Sequence, residues 1–181
     1  ALQHRLSYFV LNILDHSKLR CMGCDHFAAL AEERFIQPDQ IKRDLAQLSN
    51  LLSGDVERIG VMGGEPLLHS NATDIKQHKI FFPGTVIDPV TNGLLLLRQD
   101  EAVWRICRDH NIVIVNTKYP IHLDYKAMRK TAARKGVKFR HYGETGKKTK
   151  TSYKMSLDIN GCQKPEESFA GCFHANTDPL L

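Results

Sequence analysis

The sequence predicts an α/β fold: a parallel sheet of five to six strands, either an open doubly wound sheet or a partial (β/α) barrel. Three observations carry this expectation. Short apolar runs alternate with longer amphipathic stretches over residues 1–142, the pattern of repeated βα units. Ile112 to Thr117 (IVIVNT) is rich in β-branched residues and has the character of a strand buried on both faces, as parallel strands are. The 181 residues accommodate five or six units of roughly 30 residues but not a complete eight-unit barrel of about 250.

Taken in order, Leu6 to Leu14 (LSYFVLNIL) reads as a buried strand, followed by a loop that carries two cysteines and runs to about Phe35. Pro38 stands where a first helical turn begins. Ile41, Leu45, Leu48, Leu51 and Leu52 recur at helical spacing, so Pro38 to Leu52 is a helix with a buried stripe that Gly54 stops. Arg58 to Met62 is a second strand, broken by Gly63, Gly64 and Pro66. A weaker helix covers Asn71 to Phe82, and the strand Thr85 to Thr91 leads into the turn Asn92-Gly93. Asp100 to His110 places Val103, Trp104, Ile106 and Cys107 on a helix ahead of the fourth strand. Asp124 caps a helix to about Lys135, Gly136 ends it, and Val137 to Tyr142 is the fifth strand. Residues 1–142 thus form the (β/α) core, and residues 143–181 an irregular C-terminal segment with room for one last strand.

Composition excludes several classes. A 42% hydrophobic and 25% charged chain has the means to build a packed core, which argues against disorder. No apolar run approaches the ~20 residues of a membrane helix, and the N-terminus lacks the pattern of a secretory signal. An odd count of five cysteines, two of them separated by two residues, fits a reducing cytoplasmic location. The net charge of +5 is mild, but Lys126 to Lys154 gathers basic residues with Tyr125, Tyr142 and Tyr153 interleaved. That cluster suits a solvated face better than a nucleic-acid surface, because no recognised nucleic-acid motif accompanies it.

In either architecture the ligand lies at the C-terminal ends of the strands. The chemical groups follow that rule: Cys21 and Cys24 after the first strand, Gly63-Gly64-Glu65 after the second, Asn92-Gly93 after the third, and Asn116 to Lys118 at the end of the fourth. Two thiolates at this spacing suit a zinc ion, two corners of an iron–sulfur cluster or a redox disulfide. Two glycines after a strand permit close approach of a ligand to the backbone, and Glu65 offers a carboxylate for an amine; the plainer reading is a turn with an exposed Glu. Elsewhere, His69 reads as a polar loop residue and Cys107 as a core thiol. Cys162 and Cys172 read as free thiols with auxiliary-cluster ligation as the alternative, and Lys118 and Tyr119 as groups positioned to meet a substrate.

In their order, C-x-x-C-D-H-F, then G-V-M-G-G-E-P-L-L-H, then V-T-N-G, these motifs resemble the radical S-adenosylmethionine (radical SAM) superfamily, over about Leu6 to Ala175. The resemblance implies a partial (β/α) barrel. It implies a [4Fe-4S] cluster held in part by Cys21 and Cys24, with S-adenosylmethionine on the open iron. Gly63, Gly64 and Glu65 would bind the amino group of S-adenosylmethionine, Asn92 and Gly93 would lie beside its ribose, and Gly23 would let the loop backbone approach the adenine. The implied activity is formation of a 5′-deoxyadenosyl radical that abstracts hydrogen from a substrate, with flavodoxin or ferredoxin as reductant. Two departures qualify it. Ser17 stands where the family has its first cluster cysteine, which leaves three expectations: an active enzyme, a degenerate homologue, or a non-catalytic scaffold with zinc at Cys21 and Cys24. After Cys172 the resemblance also implies a further cysteine and a strand that close the barrel in this branch, and with the sequence given stopping at Leu181 that strand is expected to be missing. A C-terminally truncated barrel, its open edge covered by a partner or a second copy, is the corresponding expectation.

Overall fold

The computed structural model describes residues 6–21, 24, 26–119, 121–142, 160–161 and 164–170. Five strands, β1 (Leu6–Asn12), β2 (Val56–Met62), β3 (Val86–Thr91), β4 (Val113–Thr117) and β5 (Lys138–Tyr142), form one sheet in the order β1-β2-β3-β4-β5. Every neighbouring pair is parallel. This order decides between the two architectures. A doubly wound sheet reverses direction at a switch point, whereas a sheet that always advances the same way, with right-handed crossovers, carries its helices on one face and curls toward a barrel. The chain is therefore a partial (β/α) barrel.

The helices are α1 (Pro38–Leu51), α2 (Lys76–Phe81), α3 (Glu101–Asp109), α4 (Tyr125–Lys135) and a short α5 (Pro165–Ala170). Pro38 begins α1 as a residue with no N–H to leave unpaired. The Asp124 side chain accepts a hydrogen bond from the Ala127 N–H at 2.8 Å, and Gly136, at φ 68°, takes the left-handed turn that ends α4. Along the strands, Ile59, Val61, Ile87 and Ile114 are fully buried in one core with Leu45, Phe82, Val103, Trp104, Met128 and Ala132 of the helical layer and its connections. The alternate residues Tyr8, Val10, Arg58, Arg140 and Tyr142 point to the opposite, concave face.

The structure departs from the sequence reading at several elements. β1 is not buried on both faces, because nothing among the described residues covers the concave side at Tyr8 and Val10. Leu51 lies off the apolar stripe of α1 and is 80% exposed. The stretch 71–82 divides into a 3-10 turn, Ala72–Ile75, followed by α2. Pro89 sits inside β3 despite having no N–H to give. The β3–β4 ladder is correspondingly short, joining Val90 to Val115 and Thr91 to Asn116. In the segment expected to be irregular, α5 is helical; the remainder of residues 143–181 lies almost wholly outside the described residues.

One junction positions the site. After β1, the backbone of Leu14 to His16 runs between two partners. On one side the Asp15 N–H donates to Arg34 O and the Ile36 N–H to Ile13 O; on the other, the Gly64 N–H donates to Leu14 O at 3.0 Å and the Glu65 N–H to His16 O at 2.8 Å. The two glycines make that contact possible. A Cβ on Gly63, at φ 134°, would lie 2.3 Å from Leu14 O, and one on Gly64 would lie 1.8 Å from His16 O. What approaches the glycines this closely is the chain's own backbone.

Two predictions follow from this packing. Gly64→Ala forces backbone apart and should cost on the order of 3 kcal/mol, about 6–12 °C in thermal midpoint. Gly84→Ala, where a Cβ meets nothing within 4 Å, should change stability by less than about 1 kcal/mol. The second concerns His78, whose ring is buried with Nδ1 donating to Ile75 O at 3.1 Å and Nε2 unpartnered among the described residues. Desolvation lowers its pKa from 6.5 to about 4. The unfolded chain then binds the proton that the folded chain refuses, so stability falls as pH drops from 6.5 to 4. The full loss is about 3 kcal/mol. Urea unfolding across this range should show that extra loss in the wild type and not in His78→Leu.

Candidate functional site

A cleft opens at the C-terminal ends of the strands. The loop after β1 contributes Ser17, Leu19, Cys21, Cys24 and His26; the end of β2 contributes Met62, Gly63 and Gly64; the end of β3 contributes Val90, Thr91 and Asn92; and Thr117 and Tyr119 come from the end of β4. Residues more than a hundred positions apart in sequence thus share one wall. The parallel sheet ends all its strands at one rim, and the junction at Leu14 to His16 fixes the root of the cysteine loop over that rim.

Beneath the cleft lies Glu65, 1% exposed. Its Oε1 accepts from the Thr91 hydroxyl at 2.6 Å and the Leu67 N–H at 3.1 Å, and its Oε2 from the Asn92 N–H at 2.7 Å. Burial raises its pKa above the usual carboxylate value, and the bonds from Thr91, Asn92 and Leu67 oppose that rise. The polar chain continues sideways. Thr91 Oγ accepts from the Gly93 N–H, Thr91 O from the Asn116 amide at 3.1 Å, and Asn116 Oδ1 lies 3.0 Å from His141 Nδ1. The ends of β2, β3, β4 and β5 are joined by this run of buried hydrogen bonds.

Of the residues singled out from sequence, Cys21, Cys24, Gly63, Gly64 and Asn92 meet in the cleft, with Ser17 among them. Glu65 does not line it; far from being an exposed turn residue, it braces the floor. Gly93, at φ 87°, backs onto Asn116 and Met128 in the interior, while the Asn92 side chain accepts from the Leu94 N–H and so shapes the turn. Gly23, Cys162 and Cys172 lie outside the described residues. His69 is a clamp: Nδ1 accepts from the Asn71 N–H, which leaves the proton on Nε2 to donate to Ile36 O at 2.9 Å. Cys107 is a core thiol whose pKa burial raises to about 12. Lys118 turns from the cleft to the Tyr125 ring, 5.7 Å from its centroid, while Tyr119 stays in the cleft. The sequence reading missed Met62 and Val90, whose signal was their place as strand-end residues on the concave face; Thr117 belongs to the strand end, Asn116 to Lys118, that the sequence marked.

The donor set can be tested against the cluster that the resemblance implies. Cys21 and Cys24 are half-buried and share the cleft. At the third corner, the Ser17 hydroxyl accepts from the Leu19 N–H at 3.2 Å and so belongs to a local turn. Among the described residues, no three His, Cys, Asp or Glu side chains gather as metal ligands. Two thiols and a turn-bound hydroxyl do not fit a cluster anchored at three corners.

No protein-family model matches the sequence, and no curated protein is significantly similar to it. Solved structures do match. BtrN in complex with AdoMet and 2-DOIA superimposes with a TM-score of 0.60 at 19% identity, over 75% of this chain and 56% of that one. BtrN in an open conformation gives 0.53 at 18%, over 76% and 57%. Native anSMEcpe with bound AdoMet and Cp18Cys peptide gives 0.54 at 15%, over 75% and 42%. The chain therefore spans little more than half the length of BtrN, and the likeness establishes what these proteins share with it: the partial (β/α) barrel of parallel strands.

Proposed function

We propose that the chain is a radical SAM-type protein whose cleft binds S-adenosylmethionine and whose cluster site is degenerate at Ser17. The observation that carries this reading is the convergence of Ser17, Cys21, Cys24, Gly63, Gly64 and Asn92 on one cleft at the strand ends, in a fold shared with proteins whose structures hold AdoMet. The lining suits that ligand. Ser17, Asn92 and Thr117 bring polar groups for an amino-acid and ribose moiety, and Leu19, Met62, Val90 and the Tyr119 ring offer an apolar surface for a base. Cys21 and Cys24 supply two thiolates for iron, and a serine hydroxyl is a poor third ligand because it keeps its proton at neutral pH. No radical step is assigned to the chain as it stands.

Anaerobic reconstitution with iron and sulfide, run on the wild type and on Ser17→Cys, tests the proposal. Ser17→Cys should approach the four irons of a complete cluster and gain at least about tenfold in AdoMet affinity, a difference of roughly 1.4 kcal/mol; the wild type should hold less than about half that iron. Equal iron in both forms would show that Ser17 is no handicap. Colourless proteins that bind no AdoMet would overturn this reading, and stoichiometric zinc without iron and sulfide would favour the zinc scaffold in its place.

A further inference from the structure

Below the cleft, on the same concave face, lies a charged group that the cleft does not use. Asp88 of β3 has a side chain only 3% exposed, and two guanidiniums converge on its Oδ2: Arg58 of β2 at 2.5 Å and Arg140 of β5 at 2.6 Å. Its Oδ1 is buried and bonds to none of the described residues. The two arginines are 35% and 45% exposed, and among the described residues each is engaged through one nitrogen, so most of both donor forks is left over there. Tyr8 and Tyr142 flank them, both exposed. Tyr8 lies over Gly60, where a Cβ would meet its hydroxyl at 2.4 Å. Lys138, two residues before Arg140 on the same face, adds another cation.

We propose that Arg58 and Arg140, held by Asp88, form a binding site for an anionic group, a phosphate or a carboxylate, carried by the molecule that occupies the barrel. Three features support it. The cluster has two cations to one anion, so it is not a closed ion pair. Its spare donors are guanidinium forks, whose geometry matches oxyanions in a bidentate manner. Its position is also suitable. Met62, Val90 and Thr117 line the cleft, while Arg58 and Asp88 lie four and two residues before Met62 and Val90 on the same strand faces. At about 3.3 Å per residue this places the cluster ~7–13 Å below the cleft, within the span of one small molecule. The site gives a substrate class to the proposed function and rests on that reading, although its anion chemistry is tested independently.

Calorimetric titration of the whole chain at low salt, with inorganic phosphate and separately with malonate, provides the test. The wild type should bind at least one of them with unit stoichiometry, and the stronger arm identifies the phosphoryl or the carboxylate group. Arg140→Gln should weaken that binding at least about tenfold, and Arg140→Lys, which keeps the charge but loses the fork, by less. Because Arg140 is half-exposed on the last strand of the described sheet and Arg58 still pairs Asp88 without it, the thermal midpoint should stay within about 4 °C. AdoMet affinity should be unchanged in both variants. Binding of neither anion, or equal binding by Arg140→Gln, would overturn the proposal. Displacement of the anion by AdoMet would also overturn it, since the arginines would then serve the AdoMet carboxylate. Loss of AdoMet binding with the anion site intact would instead count against the proposed function alone.

Discussion

The buried carboxylate of Glu65 is the constraint on which the rim of the barrel depends. A carboxylate at 1% exposure is costly unless its lone pairs are engaged, and here the Thr91 hydroxyl and the N–H groups of Leu67 and Asn92 engage them. Each donor belongs to a segment whose placement the site needs. Leu67 fixes the course of the chain after β2, and Asn92 and Thr91 fix the turn after β3. Removing the acceptor would leave a buried N–H and a buried hydroxyl unpaired at once, which is why the residue acts on the cleft from beneath it.

The glycine pair completes this arrangement from above. Because Gly63 and Gly64 have no Cβ, the backbone of Leu14 to His16 settles against them, and the loop that carries Ser17, Cys21 and Cys24 starts from a fixed point over the strand ends. Sheet, brace and loop root then form one chain of cause. The parallel order brings the strand ends to a rim, the Glu65 and Asn116 hydrogen bonds tie that rim together, and the glycines seat the cysteine loop on it. The concave face below leaves Tyr8, Arg58, Arg140 and Tyr142 exposed or half-exposed, because α1 to α4 pack on the other side of the sheet.

Much of the fold was legible in the sequence, since its signals are local. The periods of α1, α3 and α4, the Asp124 cap and the Gly136 stop, and the β-branched run of β4 each act within a few residues. Strand burial was less legible. β1 is as apolar as a buried strand, but its exposure depends on what covers the concave face, which no local pattern encodes. The candidate site was read in part. Motif order marked Cys21, Cys24, Gly63, Gly64 and Asn92, and the end of the fourth strand marked Thr117, whereas Met62 and Val90 enter only because parallel register brings their strand ends together. Glu65 was marked for a ligand, and its use by Thr91 comes from a contact 26 residues away in sequence.

By itself, then, the sequence determined the alternation of strands and helices, their caps and stops, and the residue types offered at each strand end, all of which follow from local sterics and periodicity. The tertiary structure decided the direction in which the sheet winds and with it the partial barrel. It also decided that Gly63 and Gly64 receive the chain's own backbone, that Glu65 is a brace, and that Arg58, Asp88 and Arg140 stand together. These are consequences of pairing between distant strands, where the free energy of a contact depends on neighbours that no local stretch of sequence contains.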